Sequence, residues 1–453
     1  MALLKSVNPY NPSRIINYQE LTDMKLMVFV GRAETAFKKF RGTSFAYRKE
    51  RLKKVSAILK ERQREFAEII TSEMGKPITQ SLAEVNKCAW VCEYYADNGA
   101  KFLKKKLIPS DASESYVIYE PLGPVLAVMP WNFPFWQLFR FAAPALMAGN
   151  TILLKHASNV QGCGIIIEEI FSEAGFEEGV VQNLAIGAAK VKQVIEHEYV
   201  RAVTLTGSEQ AGSAVASVAG SVIKKCVLEL GGNNAFVVLN DAHIEYAVNI
   251  AMTARLQNGG QSCIAAKRFI LEQGIADDFI SLLRKKLKAL KTGDPMDEAT
   301  ELATLSSNSQ AAEVSSQVDR SVKMGAEILA GGKRDGAFYE PTILSGVKPG
   351  MPVFDEEVFG PVFAITVAVS PIHALELSNL SEFGLGMQVF TQSESDAQLF
   401  IDGAREGAVF INGMVKSDPR LPFGGVKKSG YGRELSVEGI REFVNVKTIW
   451  KGS

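Results

Sequence analysis

Val200-Arg201-Ala202-Val203-Thr204-Leu205-Thr206-Gly207-Ser208-Glu209 announces the architecture of this chain. Val200 to Thr206 reads as a short apolar strand, Gly207-Ser208 as a turn, and Glu209 to Ala219 as a helix. Cys226 to Glu229 is strand-like again and opens onto Gly231-Gly232. Strand, helix and strand joined by short turns are the unit of a parallel sheet with helices on both faces. A helix that starts directly after a turn presents unbonded backbone N–H groups, the geometry that receives a pyrophosphate. A bare Thr-Gly-Ser occurs in many turns, so this segment speaks for architecture before it speaks for a ligand.

The alternation extends both ways. Upstream, Val125 to Met129 and Thr151 to Lys155 are strand candidates, and Gly162 to Ala174 and Ala188 to His197 are helix candidates. Downstream, Ala235 to Leu239, Arg268 to Glu272, Ala326 to Leu329, Val362 to Val369, Gln388 to Thr391 and Ala408 to Asn412 read as strands. Ile244 to Leu256 and Ile275 to Leu290 read as helices among them. Residues 20 to 106 are expected to be mainly helical, because Ala33 to Phe40, Lys49 to Met74 and Gln80 to Leu107 carry apolar residues at three- and four-residue spacing. Ser115 to Glu120 has a β pattern, and Glu442 to Trp450 alternates like an edge strand, which can pair with another subunit.

The 453 residues are 47% hydrophobic and 22% charged, an ordinary globular composition with room for two or three domains. Lys plus Arg equals Asp plus Glu at 50 each, so no basic excess points to nucleic acid or to a membrane surface. A small-molecule ligand is the better expectation. Five cysteines are few and odd in number, which argues against a disulfide framework and for a reducing compartment. Cys88 and Cys92 share one helical face but have no histidines clustered near them, so no metal site is expected. Met1 to Pro12 has no apolar signal core and no apolar run is long enough to span a bilayer; the chain reads as cytoplasmic.

Cys263 follows Leu256-Gln257-Asn258-Gly259-Gly260-Gln261-Ser262. An isolated cysteine is usually a small buried hydrophobe. After a glycine-rich turn it is instead expected at an exposed loop-to-helix junction, where a helix N-terminus lowers a thiol's pKa and favours the nucleophilic thiolate. Glu229 ends an apolar strand about thirty residues earlier. It is either a solvated strand end or a carboxyl raised by its apolar neighbours, which suits a general base. Asn132, in Pro130-Trp131-Asn132-Phe133-Pro134, is either a turn asparagine or a donor toward an oxyanion.

In this order, along nearly the whole chain, these motifs resemble the aldehyde dehydrogenase superfamily. The resemblance implies an α/β fold with a Rossmann-like cofactor domain (1–107 and 123–230), an α/β catalytic domain (231–435) and a small β oligomerisation element (108–122 and 436–453). It implies that Cys263 attacks the aldehyde carbon, that Asn132 and the Cys263 backbone N–H hold the oxyanion, and that Glu229 activates the hydrolytic water. Relatives that pass the thioester to coenzyme A typically lack this glutamate. A coenzyme A-acylating or a non-catalytic relative is the alternative from another class.

The cofactor implied is NADP or NAD, with Trp131, Lys155, Ser158, Gly207, Ser208, Glu357 and Phe359 as its expected contacts. Lys155 meets the adenosine ribose in the family, and the position of Ser158 often holds a glutamate that repels a 2′-phosphate; serine removes that repulsion. His156 replaces the usual proline and is expected to add a donor. Only Ile186-Gly187-Ala188-Ala189-Lys190-Val191 stands where the family has a longer glycine motif. Glu356-Glu357-Val358-Phe359-Gly360-Pro361 matches a family signature, with Glu357 on the nicotinamide ribose and Phe359 beside the nicotinamide.

The substrate implied is an aldehyde that carries a carboxylate. Arg140 lies eight residues after Asn132, and succinate-semialdehyde dehydrogenases carry arginine at the matching position. Ser417 matches a serine that contacts the carboxylate there. Gln257 stands where some relatives supply a second arginine; glutarate semialdehyde or aliphatic aldehydes are the alternative substrates. The resemblance also implies a homodimer or homotetramer, in which the strand at 442 to 450 and the segment near 115 to 120 augment a neighbour's sheet.

Overall fold

The computed structural model describes residues 3–452. Met1, Ala2 and Ser453, at the outer ends of the expected domain ranges, lie outside the described residues. The segment from Val200 onward forms the strand Ala202–Thr206, the helix Glu209–Ser221 and the strand Lys225–Glu229. They belong to a six-stranded sheet ordered Gly430–Tyr431, Lys225–Glu229, Ala202–Thr206, Pro124–Met129, Thr151–His156 and Val181–Asn183. Every pairing is parallel except that of Gly430–Tyr431. Thr151–His156 and Ala202–Thr206 are buried along their whole length, as parallel strands covered on both faces must be.

From the central strand Pro124–Met129 the chain winds first to one side, through Thr151–His156, and then to the other, through Ala202–Thr206. The strand order reverses there. The crevice beyond the carboxyl ends of such strands is where open α/β sheets receive ligands. Pro130-Trp131-Asn132 and Gly207-Ser208 leave from those two strand ends.

A second sheet has seven strands, ordered Glu327–Ala330, Thr342–Ser345, Val362–Ala368, Ala266–Glu272, Asn234–Val238, Met387–Phe390 and Val409–Ile411. Only Glu327–Ala330 runs antiparallel to its neighbour. In a third, three-stranded sheet, Glu114–Pro121 sits between Lys106–Leu107 and the C-terminal strand Val444–Lys451, which occupies an edge.

The N-terminal region is mainly helical as expected, with two differences. The pattern over Lys49 to Met74 is two helices, Phe45–Glu61 and Gln63–Met74, broken at Arg62 (φ −102°, ψ 24°). The break aims a separate apolar face, Phe66, Ala67, Ile70 and Met74, into the core. Gln80 to Leu107 is the helix Ile78–Phe102 followed by the short strand Lys106–Leu107. Cys88 and Cys92 are buried on that helix, and no cluster of metal-ligating side chains occurs among the described residues. The hairpin Leu3–Val7/Ile15–Gln19 and the helices Asn308–Lys323, Pro371–Asn379 and Glu394–Gly403 were not expected from the sequence. Among the described residues, no helix is long and apolar enough to cross a membrane.

Candidate active site

Cys263 stands in the turn between the 3₁₀ segment Gln257–Gly260 and the strand Ala266–Glu272. No helix begins at Cys263, which corrects the expected loop-to-helix junction. Asn258, Gly259 and Gly260 all adopt positive φ (58°, 62° and 79°), so the chain reverses and enters the second sheet as a strand. Asn258 tolerates this conformation because its side-chain amide donates to the carbonyls of Asn132 (2.7 Å) and Gln261 (3.0 Å). Arg255, fully buried, ties the loop to the Glu357–Phe359 segment by donating to the carbonyls of Gly260 (2.9 Å), Val358 (3.1 Å) and Gly360. The thiol is not lowered either. Burial pushes Cys263 up to about 11, and the positive charges of Arg140 and Lys267 only partly oppose it. Lys267 reaches the Ser262 and Cys263 carbonyls at 2.8 and 2.9 Å.

Cys263 lines two cavities. The first, of about 250 Å³, lies at the switch point of the six-stranded sheet and is lined by Trp131, Asn132, Gly207, Ser208, Glu357 and Phe359 among others. Ser208 caps the helix Glu209–Ser221, its Oγ accepting from the Ala211 N–H at 3.3 Å. Glu357 accepts from the Gly232 N–H (3.0 Å) and pairs with Lys267 (3.0 Å). Trp131 and Phe359 meet edge-on, with centroids 5.8 Å apart. A capped helix N-terminus, a fixed carboxylate and an aromatic pair beside a thiol suit a dinucleotide whose reactive ring reaches Cys263.

Lys155 and Ser158 do not line this cavity; they lie at the carboxyl end of Thr151–His156 and in the adjoining 3₁₀ turn. Lys155 is mostly buried, which lowers its pKa, and makes no ion pair among the described residues. His156 is no free donor. It is fully buried, its Nε2 faces the Pro134 carbonyl at 2.7 Å, and its Nδ1 accepts from the Ala157 N–H at 3.0 Å. Burial lowers it to about 4, so it is neutral at pH 7.

The second cavity, of about 240 Å³, brings Arg140 and Ser417 together with Cys263. Gln80, Glu84 and Lys87 enter it from one face of Ile78–Phe102, at the three- to four-residue spacing of a helical stripe. Arg140 enters from the helix Trp136–Ala148, but its guanidinium forms a buried ion pair with Glu434, donates to Thr206 Oγ1 at 3.3 Å and stacks over Phe423 at 4.6 Å. Glu84 is also occupied. It pairs with buried Lys76 and accepts from the N–H groups of Phe135 (2.8 Å) and Trp136 (2.9 Å), capping the arginine-bearing helix.

Asn132 is held for donation. Its amide nitrogen carries two protons and one bonds the Gln261 carbonyl at 3.0 Å; Asn132 lines the cavity shared with Cys263. Glu229 lines neither cavity. Its carboxyl is buried against Gly424, where an added Cβ would come within 2.8 Å of Oε1. Burial first and the nearby Glu434 second hold Glu229 well above the usual carboxylate range, against the pull of Arg140 and Arg433. Lys76, Glu84, Lys87 and Lys267 escaped the sequence reading, and no role was expected of Arg255 or Glu434. The available signal was a set of charged residues inside otherwise apolar helices and strands, such as Lys267-Arg268 within Ala266–Glu272.

The chain belongs to the aldehyde dehydrogenase family, whose model matches residues 2–449. It is 47% identical to the probable succinate-semialdehyde dehydrogenase (NADP(+)) of Synechocystis sp., over 99% of both chains. It is 47% identical to a succinate semialdehyde dehydrogenase (NAD(P)+) of Escherichia coli, covering 92% of this chain and 91% of that one. The solved succinic semialdehyde dehydrogenase of Streptococcus pyogenes, in complex with NADP+, superposes with a TM-score of 0.97 at 39% identity, over 99% of this chain and 100% of that one.

Proposed function

We propose that this protein oxidises succinate semialdehyde to succinate with NADP or NAD, by way of a thiohemiacetal and a thioester on Cys263. The observation that carries the reading is the position of Cys263, open on one side to the cavity of Trp131, Ser208 and Glu357 and on the other to the basic cavity of Lys87, Arg140 and Ser417. The names of the relatives at 44–47% identity agree with it. Ser208, Gly207, Glu357 and the Trp131–Phe359 pair would hold the nicotinamide half of the cofactor, and Lys155 and Ser158 the adenosine half. Bound there, the cofactor supplies a hydride acceptor and a positive charge near the sulfur.

The residues divide the remaining work. Cys263 Sγ releases its proton to solvent water and, as thiolate, attacks the aldehyde carbon, whose C=O electron pair moves onto the oxygen. The Asn132 amide and the Cys263 backbone N–H meet the oxyanion. After hydride departs, Glu229 takes a proton from the water that cleaves the thioester, freeing the acid and restoring the thiol. To do so its carboxyl must swing out from behind Gly424 and ionise. A broader aldehyde range is the second reading, favoured by Gln257 in the substrate cavity and by the commitment of Arg140 to Glu434. Steady-state oxidation of succinate semialdehyde against butanal, with NADP and with NAD, tests the choice. A preference for the semialdehyde of at least about tenfold in kcat/KM is expected; equal turnover supports the broad enzyme.

The exposed edge of Val444–Lys451 supports self-association into a dimer or tetramer; a monomer mass in light scattering at micromolar concentration removes that part. All five cysteines are free, which agrees with a reducing, cytoplasmic setting; export by cells of origin, seen in fractionation, argues against it.

A further inference from the structure

Lys267 is the second residue of the strand Ala266–Glu272 and is 1% exposed. A lysine inside a buried parallel strand is costly unless its protons are answered. Here all of them are. Nζ donates to the Ser262 carbonyl at 2.8 Å and to the Cys263 carbonyl at 2.9 Å, and pairs with Glu357 Oε1 at 3.0 Å. Three acceptors around one nitrogen call for the ammonium, whose three protons they use up. Burial lowers the pKa of Lys267, and the charge of Glu357 pulls it back. No step of the proposed oxidation uses this residue directly.

Its two carbonyl contacts have a geometric consequence. The Ser262 carbonyl belongs to the peptide that carries the Cys263 N–H, and in a trans peptide the C=O and N–H point in opposite directions. Among the described residues no peptide is cis. Holding that carbonyl on Nζ therefore sets the direction of the Cys263 N–H, which meets no protein acceptor among the described residues. On the other side of Nζ, Glu357 Oε1 takes both the ammonium and the Gly232 N–H. Gly232 fits there because it has no side chain: a Cβ would come within 2.6 Å of the Cys263 carbonyl oxygen. The Gly232, Ser262–Cys263 and Glu357 segments thus meet around one buried cation. Arg255 joins neighbouring parts of the same loops, but its hydrogen bonds go to the carbonyls of Gly260, Ala266, Val358 and Gly360, not to the Cys263 peptide or the Glu357 carboxylate.

We infer that Lys267 is a positioning residue that locks the peptide carrying the Cys263 N–H to the carboxylate of Glu357, so that one ammonium sets both the oxyanion donor and the seat of the cofactor's nicotinamide half. The inference rests on the roles proposed above for the Cys263 N–H and for Glu357, and adds the residue that couples them.

The test titrates NADPH by its fluorescence, and measures kcat with succinate semialdehyde at saturating NADP, for wild type, Lys267→Met, Glu357→Gln and the double variant. Methionine keeps most of the stem and removes the donors. Lys267→Met should raise the Kd of NADPH about 3- to 10-fold, because Glu357 loses its tether. It should lower kcat about 10- to 100-fold, because the Cys263 N–H loses its aim. Glu357→Gln should raise the Kd at least as much. On the Glu357→Gln background, Lys267→Met should change the Kd by less than about twofold and still lower kcat by about tenfold or more. Lys267→Gln keeps a donor for the carbonyls and should fall between wild type and Lys267→Met in kcat; it takes the place of Lys267→Met, alone and in the double variant, if that protein does not accumulate. A general loosening of the fold would weaken NADPH by the same factor with or without the Glu357 carboxylate. Fully additive changes in Kd therefore overturn the inference, as does a Lys267→Met enzyme with the kcat of wild type, and both leave the cofactor reading standing. A Glu357→Gln enzyme that binds NADPH as wild type does removes Glu357 from the cofactor site, and overturns that reading and the coupling together.

Discussion

Replacing Arg140 by methionine separates a clamp from a scaffold. Arg140 is 1% exposed, and its ion pair with Glu434 is buried on both sides. Removing one partner of a buried pair costs about 3–5 kcal/mol, because a charge is left without its counter-ion in a dry site. The contact over Phe423 at 4.6 Å is lost with it and is part of the same sum. At about 2 °C per kcal/mol for a large domain, Tm should drop by roughly 6–10 °C. The pH dependence has a definite sign. Burial holds Glu434 and Glu229 above the ordinary carboxylate range, so a proton on either favours the folded state and that contribution is lost as pH rises. Without Arg140 to stabilise the ionised form, the deficit against wild type should be smallest near about pH 5 and widen toward about pH 8. Scanning calorimetry at fixed protein concentration measures it, and the double variant Arg140→Met/Glu434→Gln should regain about half of the loss by removing the orphaned charge. If Arg140→Met melts with wild type while KM for succinate semialdehyde alone rises, the arginine is the carboxylate clamp and the scaffold argument is wrong.

Ser158→Glu should lower kcat/KM with NADP by about tenfold or more while that with NAD changes little, since in the proposed binding of the adenosine half a carboxylate there would face the 2′-phosphate; parallel losses with both cofactors would separate Ser158 from the phosphate site. Gly260→Ala should destabilise the protein by about 2–4 kcal/mol and slow turnover, because at φ 79° its Cβ would press on the Gly360 carbonyl and on Arg255 at 2.5 Å; an unchanged Tm and kcat would show that the loop before Cys263 is free to relax.

Local pattern was sufficient for the architecture. Val125 to Met129, Thr151 to Lys155, Val200 to Thr206 and Ala235 to Leu239 are apolar because strands in a parallel sheet are covered on both faces, and the observed strands agree to within two residues at either end. The Asn-Gly-Gly run before Cys263 announced a reversal, since such residues accept positive φ. The element beyond the reversal was not legible. Whether the chain enters a helix or a strand depended on Arg255 bonding the carbonyls of a loop about a hundred residues away.

The same limit governs the site. Chain order and residue type were enough to bring Cys263, Asn132, Trp131, Ser208 and Glu357 to one crevice, because strand ends at a switch point converge whatever their sequence separation. Neither order nor type says which charge is spent. Arg140 and Lys87 are both basic residues on helices that face one cavity, and only the folded chain brings Glu434 against the first and Ser417 and the Trp136 ring against the second. The free energy of a buried cation is set by the counter-charge and donors within a few ångströms of it, and those neighbours come from parts of the chain roughly 300 residues apart. Fold class and motif order were written in local pattern; the assignment of charge came from tertiary contact.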